Sequence, residues 1–138
     1  MKVLPVTLHT GVASLEDHEH PYPEWFEVPP RTAAAVAAAR AGGGRILAAG
    51  TTVTRALESA AIEGDIKPAS GWTDLVIGSD HIPNVVDGML TGWHEPEASH
   101  LAMLETVAGP SLLADSYDAA LAGNYRWHAF GDLHLLLP

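Results

Sequence analysis

The sequence has no cysteine, and it has few basic residues. Without thiols, disulfide bonds and thiolate-ligated metal sites are excluded. Seven Lys and Arg residues stand against 17 Asp and Glu residues, for a formal net charge of −10. Proteins that bind a nucleic acid through their own charge normally present a basic face. The charge balance therefore argues that any RNA-binding surface lies on another segment, or that the substrate is not RNA.

Long apolar runs are missing as well. No stretch approaches the roughly 20 apolar residues that a membrane-spanning helix needs. Residues 1–9 contain one Lys and are interrupted by Pro5, and they lack the apolar core and cleavage site of a signal peptide. Together with the absence of cysteine, these features predict a cytoplasmic protein without a membrane partner.

What is present is enough apolar sequence for a folded core. The chain has 138 residues, of which 47% are hydrophobic. This length is typical of one domain, and this apolar content suffices for a core without disulfides or a structural metal. We therefore predict a single domain over residues 1–138.

Short apolar runs alternate with helical patterns along the chain. Residues 10–30, rich in Pro, Glu and His, are interpreted as irregular. The predicted strands cover residues 3–9, 45–49, 73–77, a weaker 85–90, and 125–137 with an interruption at Gly131. The predicted helices cover residues 32–41 with Thr32 near the cap, 50–64, 101–108, and a fourth helix that Ser111 caps.

This alternation predicts an α/β fold, a layered sandwich with a mostly parallel or mixed sheet. Ligands bind such sheets at the carboxyl ends of the strands. The candidate binding loops are therefore those near His9, Gly50, Ile77 and Leu90.

The first candidate site is the predicted strand-to-helix turn at Gly50. Gly50 permits a tight turn, and the free N–H groups of the first helical turn carry a partial positive charge. Thr51 and Thr52 add hydroxyl groups and Arg55 adds a cation, so the segment suits a carboxylate or a phosphate. The alternative is structural: a Thr caps the helix, and Arg55 pairs with Glu58 or solvent.

Histidines beside acidic residues form two further candidates. Residues 16–20, Glu-Asp-His-Glu-His, offer metal ligands, but a Pro-rich loop gives them no fixed geometry, and a solvated acidic loop is the alternative. We predict no metal site. His94 beside Glu95 suits general acid–base catalysis; alternatively, Trp93 anchors the loop and His94 binds the backbone.

Two carboxylates next to glycines complete the set. Asp132 follows Gly131, where a bulge or turn would direct it into a cleft, and Asp87 precedes Gly88 in a similar short loop. The aromatic residues of 126–134 are more typical of core packing than of base stacking. The residues by themselves thus indicate an α/β domain with a cleft rich in histidine and acidic groups.

Six segments carry motifs in a fixed order: PVTLHTG at 5–11, EDH at 16–18, GGRILAAGTTVTRALESAA at 43–61, GWTDLVI at 71–77, VVDGMLTGWHEPEASHLAMLETVAG at 85–109 and YRWHAFGDLHLLL at 125–137. In this order they resemble the C-terminal part of the S-adenosylmethionine:tRNA ribosyltransferase-isomerase family of queuosine biosynthesis. The similarity extends over almost the whole chain. We therefore expect a single α/β domain that corresponds to the C-terminal half of the family's catalytic domain.

The resemblance implies a transferase and isomerase that uses S-adenosylmethionine as ribosyl donor and needs no metal. The ribosyl moiety goes to the 7-aminomethyl-7-deazaguanine base of tRNA and is isomerised to give epoxyqueuosine, while adenine and methionine leave. The residues implied for the methionine carboxylate and the rest of the substrate are Gly50, Thr51, Thr52, Arg55 and Asp132. Those implied for acid–base work are His9, His94 and Asp87.

The family's enzymes also contain an N-terminal α/β part and an inserted β-barrel domain, which are not found in this sequence. The resemblance therefore implies a domain that is incomplete by itself and is completed by a partner chain or by self-association. It further implies that tRNA binds only when the N-terminal part is supplied.

The sequence departs from the family's pattern at the predicted site loops, for example at residues 12–15 and at Gly92 and Trp93. These departures leave a second interpretation open, a repurposed or non-catalytic paralogue that binds an adenosyl-type small molecule. A third is a metal-dependent lyase or hydrolase built on residues 16–20.

Overall fold

The computed structural model describes residues 1–11, 22–94 and 100–138. The predicted ligand cluster at 16–20 and the Glu95 partner of His94 lie outside these described residues. Within them, no group of three His, Asp or Glu side chains is placed to hold a metal ion. Among the same residues, no helix combines the length and the apolarity needed to cross a membrane.

Eight short strands and four helices make up the described fold. In chain order they are β1 Thr7–Leu8, β2 Glu24–Val28, α1 Pro30–Ala41, β3 Leu47–Ala49, α2 Thr51–Ser59, β4 Ala61–Ile62, β5 Asp65–Ile66, β6 Ala69–Thr73, β7 Gly88–Gly92, α3 His100–Ala108, α4 Pro110–Ala122 and β8 Leu133–Leu136. A single 3₁₀ turn, His128–Phe130, lies between α4 and β8.

The strands lie in three separate sheets. The first sheet has the order β1-β2-β6 and is antiparallel; β4 and β5 form a hairpin. The second sheet has the order β3-β7-β8, in which β3 and β7 run parallel and β8 runs antiparallel to β7. The predicted mixture of α and β structure is confirmed. Parallel pairing is confined to β3 and β7 among the described strands, so only the second sheet is mixed, and no described sheet is mostly parallel.

One apolar core holds the second sheet against two helices. Ala48, Met89 and Leu136 from the three strands are buried with Leu57 of α2 and Leu104 of α3. Because neighbouring residues of a strand point to opposite faces, the core-facing residues of each strand define the inner face of this sheet. Helices α2 and α3 therefore lie on the inner face.

Several predicted boundaries were wrong for identifiable reasons. Helix α1 begins at Pro30, because proline fits the first helical position; Thr32 instead donates its hydroxyl to the Pro5 carbonyl over 2.7 Å. Helix α4 begins at Pro110 after Gly109, so Ser111 lies inside the helix and is not its cap.

Predicted strands differ from the observed ones in length or in place. The strand predicted at 73–77 was wrong: β6 ends at Thr73, where the Thr73 hydroxyl accepts a hydrogen bond from the Leu75 N–H and turns the chain. Strand β2 lies in the segment interpreted as irregular, and the strand predicted at 3–9 is paired only over Thr7–Leu8.

Candidate functional site

The second sheet brings three loops to one edge. Because β3 and β7 are parallel, Gly50 after β3 and Trp93 after β7 follow the same end of the sheet, and the Gly50 N–H donates to the Leu90 carbonyl over 2.8 Å. Strand β8 runs the other way, and its first residue Leu133 pairs with Gly92. We call this end, where residues 50–52, 92–94 and 128–133 meet, the carboxyl edge.

Helix α2 begins at the carboxyl edge without a side-chain cap. Gly50 has φ = +100°, a conformation that a side chain would strain, and no side chain of the described residues caps the helix. The half-buried Thr51 and Thr52 form the first turn. Their N–H groups precede the first intrahelical bonds and carry the positive end of the helix dipole. The geometry of this turn is therefore compatible with the predicted binding of an anion.

Arg55 is buried, and its guanidinium is held by groups of the first sheet and of the segment that follows β6. Its Nη1 donates to the Glu24 carboxylate over 2.5 Å, and its Nε donates to the Leu75 carbonyl over 2.9 Å. The sequence suggested Glu58 or solvent as the partner of Arg55, but its ion-pair partner is Glu24. Glu58 instead accepts hydrogen bonds from the N–H groups of residues 84–86. Arg55 thus fixes α2 against the first sheet, and its contact with substrate stays a prediction.

His94 lies in a cluster of imidazoles at the carboxyl edge. Its Nε2 is 3.0 Å from the Thr91 hydroxyl, and Tyr117 donates its hydroxyl to the His94 carbonyl over 3.1 Å. The ring centroid of His94 lies 4.8 Å from that of His100 and 5.5 Å from that of His128. We call His94, His100, His128 and the nearby His134 the histidine cluster.

Burial lowers the pKa of three histidines of this cluster. Burial, followed by the charges of His100, His128 and His134, lowers the pKa of His94 to about 4. Burial also lowers the pKa of His100, with a smaller effect from His128, and burial alone lowers the pKa of His134. His94, His100 and His134 are therefore neutral imidazoles near pH 7.

Aromatic side chains support the cluster from inside the domain. Trp93 and His134 are buried and stacked, with ring centroids 3.9 Å apart and planes inclined by 8°. Tyr117 meets Trp93 edge-on at 4.9 Å. The anchoring role considered for Trp93 agrees with this packing. Trp93 Nε1 and His134 Nδ1 find no hydrogen-bond partner among the described residues.

The other predicted residues are spread over the domain. Asp132 lies at the carboxyl edge, where its carboxylate accepts the Arg126 N–H over 2.6 Å. His9 is exposed beside the first sheet, with its ring 5.1 Å from Trp25. Asp87 precedes β7, and its carboxylate accepts the Ile46 N–H over 2.7 Å.

The structure does not bring Asp87 to His94. The two residues flank opposite ends of β7, and five strand residues span about 16 Å. The Asp87 carboxylate and the backbone of Ile46 join the starts of β7 and β3, since the Asp87 N–H also donates to the Ile46 carbonyl over 2.9 Å. Its predicted acid–base role stays a prediction.

The sequence reasoning missed most of the histidine cluster. His100 lies near His94 because of the position of α3. His134 lies near His94 because it pairs with Thr91 across β7 and β8. A signal was available in β8, where alternation places His134 and Leu136 on the buried side. Nothing in the local sequence indicates that this strand pairs beside Thr91.

An apolar cleft of about 260 Å³ lies between α3 and α4. Tyr117 lines it and connects it to the carbonyl of His94. Its other lining residues are Leu101, Glu105, Pro110, Leu113 and Ala114. Apolar walls with one carboxylate suit a flat ring that carries an amino group.

A family model described as queuosine biosynthesis protein matches residues 1–136. The S-adenosylmethionine:tRNA ribosyltransferase-isomerase of Trichormus variabilis is 40% identical over 140 residues, which cover 96% of this chain and 34% of that protein. Its counterpart from Pelotomaculum thermopropionicum is 37% identical and is matched over 98% of this chain and 42% of its own length.

A solved structure is similar as well. The crystal structure of S-adenosylmethionine tRNA ribosyltransferase from Thermotoga maritima superposes with a TM-score of 0.75 at 33% identity, over 83% of this chain and 41% of that one. The chain spans about a third to two fifths of the length of these relatives. The resemblance inferred from the ordered motifs is confirmed, and the chain belongs to the queuosine biosynthesis protein family.

Proposed function

We propose that this chain supplies the S-adenosylmethionine-binding part of a tRNA ribosyltransferase-isomerase of queuosine biosynthesis. The reaction transfers the ribosyl moiety of S-adenosylmethionine to the 7-aminomethyl-7-deazaguanine base of tRNA and isomerises it, and no metal takes part. Family membership supports this activity. The observation that carries the site is the convergence of the uncapped start of α2 and the histidine cluster at one sheet edge.

In this proposal the methionine carboxylate binds at the first turn of α2. The N–H groups and hydroxyls of Thr51 and Thr52 donate to the carboxylate, and Gly50 lets the backbone approach it closely. Arg55 chiefly positions α2, because its ion pair with Glu24 fixes the helix that carries these donors. The Asp132 carboxylate accepts the Arg126 N–H and thereby fixes the loop that leads into β8 at the carboxyl edge.

The histidine cluster is proposed to face the sulfonium and the reacting groups. A charged imidazole would repel a sulfonium cation, whereas His94, with its pKa lowered to about 4, is neutral and repels it little. A neutral imidazole can also accept a proton or a hydrogen bond from the attacking amine. His9 is proposed as a second acid–base group on the exposed side of the first sheet. Asp87 is proposed to act indirectly, by fixing the start of β7.

The adenine ring is proposed to bind in the cleft between α3 and α4. Its apolar lining suits the faces of the ring, and Glu105 can accept a hydrogen bond from the exocyclic amino group. Tyr117 links this cleft to His94, so the leaving base and the imidazole lie on adjoining surfaces.

The tRNA is proposed to bind only when a further segment completes this domain. A net charge of −10 opposes long-range attraction of a polyanion, and the chain spans about a third to two fifths of its relatives. We propose that the chain forms a layered α/β part of a cytoplasmic enzyme and does not include the inserted β-barrel domain.

Calorimetric titration of the chain with S-adenosylmethionine, adenine and methionine tests this proposal. We expect saturable binding of S-adenosylmethionine that Thr51→Ala weakens. Ser111→Ala is the matched control, because Ser111 lies in the first turn of α4, which also follows a glycine of positive φ and has no side-chain cap. The control should bind like the wild type, and equal binding by Thr51→Ala would remove the carboxylate site.

Release of adenine separates the transferase from the alternative binding module. The assay contains the chain, S-adenosylmethionine, tRNA carrying 7-aminomethyl-7-deazaguanine, and the part of the Thermotoga maritima relative that this chain does not match. Adenine release that depends on the chain supports the transferase. Tight donor binding without adenine release supports a repurposed adenosyl-binding domain, and absence of donor binding overturns both.

A further inference from the structure

The loop between α4 and β8 presents aromatic side chains to solvent. Phe130 is 66% exposed, whereas the aromatic residues of 126–134 were expected to pack in the core. Tyr125, at the start of the same loop, is 56% exposed. Phenylalanine is among the residue types most often found buried, so a Phe that is two thirds exposed marks a surface that contacts something else.

Backbone hydrogen bonds hold this loop in one conformation. The Arg126 N–H donates to the Asp132 carboxylate over 2.6 Å, and the His128 N–H donates to the Trp93 carbonyl over 2.8 Å. The Gly131 N–H donates to the His128 carbonyl over 2.9 Å and closes the 3₁₀ turn. Because the loop is already ordered, a ligand that binds to it loses little free energy in ordering it.

The side chains of Arg126 and Phe130 lie together at the surface of this loop. The guanidinium carbon of Arg126 is 5.3 Å from the centroid of the Phe130 ring, and Arg126 is exposed. A guanidinium group is planar, stacks on aromatic rings and donates paired hydrogen bonds to phosphate. The two side chains, which we call the Arg126–Phe130 pair, therefore offer a flat apolar surface beside a cation.

The charge around this pair differs from that of the whole chain. The net charge is −10, yet residues 119–131 contain Arg126 and His128 and no acidic residue. The carboxylate of Asp132, which follows this stretch, accepts the backbone N–H of Arg126. Because salt screens exposed charges beyond roughly 8–10 Å, a ligand at the pair responds chiefly to these local groups. The local charge therefore complements an anionic group such as a phosphate.

The Arg126–Phe130 pair lies next to the histidine cluster. The ring centroids of His128 and His94 are 5.5 Å apart. A Cβ on Gly92 would overlap the Cβ of His128, so the loop packs directly on the end of β7. Phe130 ends the 3₁₀ turn that begins with His128. A ligand on Phe130 would therefore lie at the carboxyl edge, beside the groups proposed to react.

We propose that the Arg126–Phe130 pair binds an unpaired nucleotide of the RNA substrate, with the base stacked on Phe130 and a phosphate hydrogen-bonded to Arg126. Unpaired bases are recognised by stacking on aromatic side chains and on guanidinium planes. The inference rests on the proposed function, from which it takes the class of acceptor. One stacked nucleotide gives a weak contact, so it is consistent with tRNA binding that also needs a further segment.

The test is an NMR titration of the chain with a single-stranded RNA of roughly seven nucleotides, at millimolar concentration and without S-adenosylmethionine. We expect the resonances of both side chains to shift and nuclear Overhauser effects to join the Phe130 ring to a base. Phe130→Ala should raise Kd by about fivefold or more, whereas Phe130→Tyr, which keeps the ring, should stay within about twofold. Trp72→Ala is the matched control, because Trp72 is 73% exposed but lies on β6, and it should bind like the wild type.

Two further ligands identify what the pair recognises. An RNA duplex of the same sequence stacks its bases internally, so it should give no Overhauser effect to Phe130. Adenosine has a base but no phosphate, and it should bind more weakly than the single strand. Arg126→Gln should reduce the dependence of log Kd on log salt concentration by about 0.7, the value for one phosphate contact on a single strand.

Four results would overturn the proposal: no shift at either side chain with millimolar RNA, equal binding by Phe130→Ala and the wild type, equal binding of duplex and single strand, or equal binding of adenosine, which would assign the pair to the leaving adenine. Circular dichroism confirms that each variant is folded. S-adenosylmethionine is absent from this titration, so the nucleotide contact and the donor site can fail separately.

Discussion

The guanidinium of Arg55 donates a 2.5 Å hydrogen bond to the carboxylate of Glu24, which joins α2 to β2. The two side chains are only 10% and 16% exposed. The other oxygen of the same carboxylate accepts the Gly11 N–H over 2.9 Å, so the loop after His9 is fixed to the same point. One ion pair therefore sets the position of the first sheet relative to the helix that begins the candidate site.

Glu24→Gln should destabilise the domain. The substitution leaves Arg55 as a largely buried cation without an anionic partner, which we expect to lower the free energy of unfolding by about 1–3 kcal/mol. Urea denaturation measures this change. Asp118→Asn, at an exposed position of α4, is the control and should stay within about 0.5 kcal/mol of the wild type. Equal stability of both variants would mean that the ion pair contributes nothing net.

Glu58→Gln should destabilise the domain through a different network. The buried Glu58 carboxylate accepts the N–H groups of Asn84, Val85 and Val86 over 2.7–3.0 Å, and it thereby fixes the approach to β7. A carboxamide would place an NH₂ group against some of these donors. We expect a loss of about 3 kcal/mol in unfolding free energy, because several hydrogen bonds to a charged acceptor are affected. The exposed Glu63→Gln should have little effect; a loss of similar size there would contradict this account.

Local patterns predicted the helices better than the strands. The Ala-rich run before residues 42–44 and the glycine at residue 50 determine α1 and the start of α2 without reference to distant contacts. Strands depend on partners: β2 exists because Glu24–Val28 pairs with Ala69–Thr73, whereas residues 75–77 have apolar side chains but no ladder partner among the described strands. The strand propensities of individual residues do not predict that pairing.

The same distinction applies to the candidate site. The turn at Gly50 was predictable because its chemistry is contained in a few consecutive residues. The ion pair of Arg55 was not, since Glu24 lies 31 residues away in a segment interpreted as irregular. The histidine cluster needs α3, β7 and β8 to be placed in three dimensions, and of its members only His94 was a candidate in advance, from its neighbour Glu95 and from the family resemblance.

Gly88→Ala and Gly92→Ala should have separable effects. A Cβ at Gly88 would lie 2.7 Å from the Leu136 carbonyl oxygen, a backbone atom that cannot move without disturbing β8, so we expect a large loss of stability. At Gly92 the overlapping group is the side chain of His128, so the change should chiefly displace the histidine cluster. Gly78→Ala, where nothing lies within 4 Å, is the control for both. Thermal unfolding measures the first effect, and the NMR titration of the His94 ring measures the second.

His94 should make the stability of the domain depend on pH between about 4 and 6.5. Its pKa is lowered from 6.5 to about 4 by burial and by His100, His128 and His134, so in this window the unfolded chain binds a proton that the folded chain excludes. Stability is therefore present above pH 6.5 and is lost as the pH falls towards 4. His94→Gln removes the titrating group, and we expect its unfolding free energy to fall less steeply with decreasing pH than that of the wild type. His9→Gln, at an exposed position, should keep the wild-type slope. Parallel pH profiles for the wild type and His94→Gln would show that His94 titrates alike in the folded and unfolded states, and the neutral imidazole proposed beside the sulfonium would lose its basis.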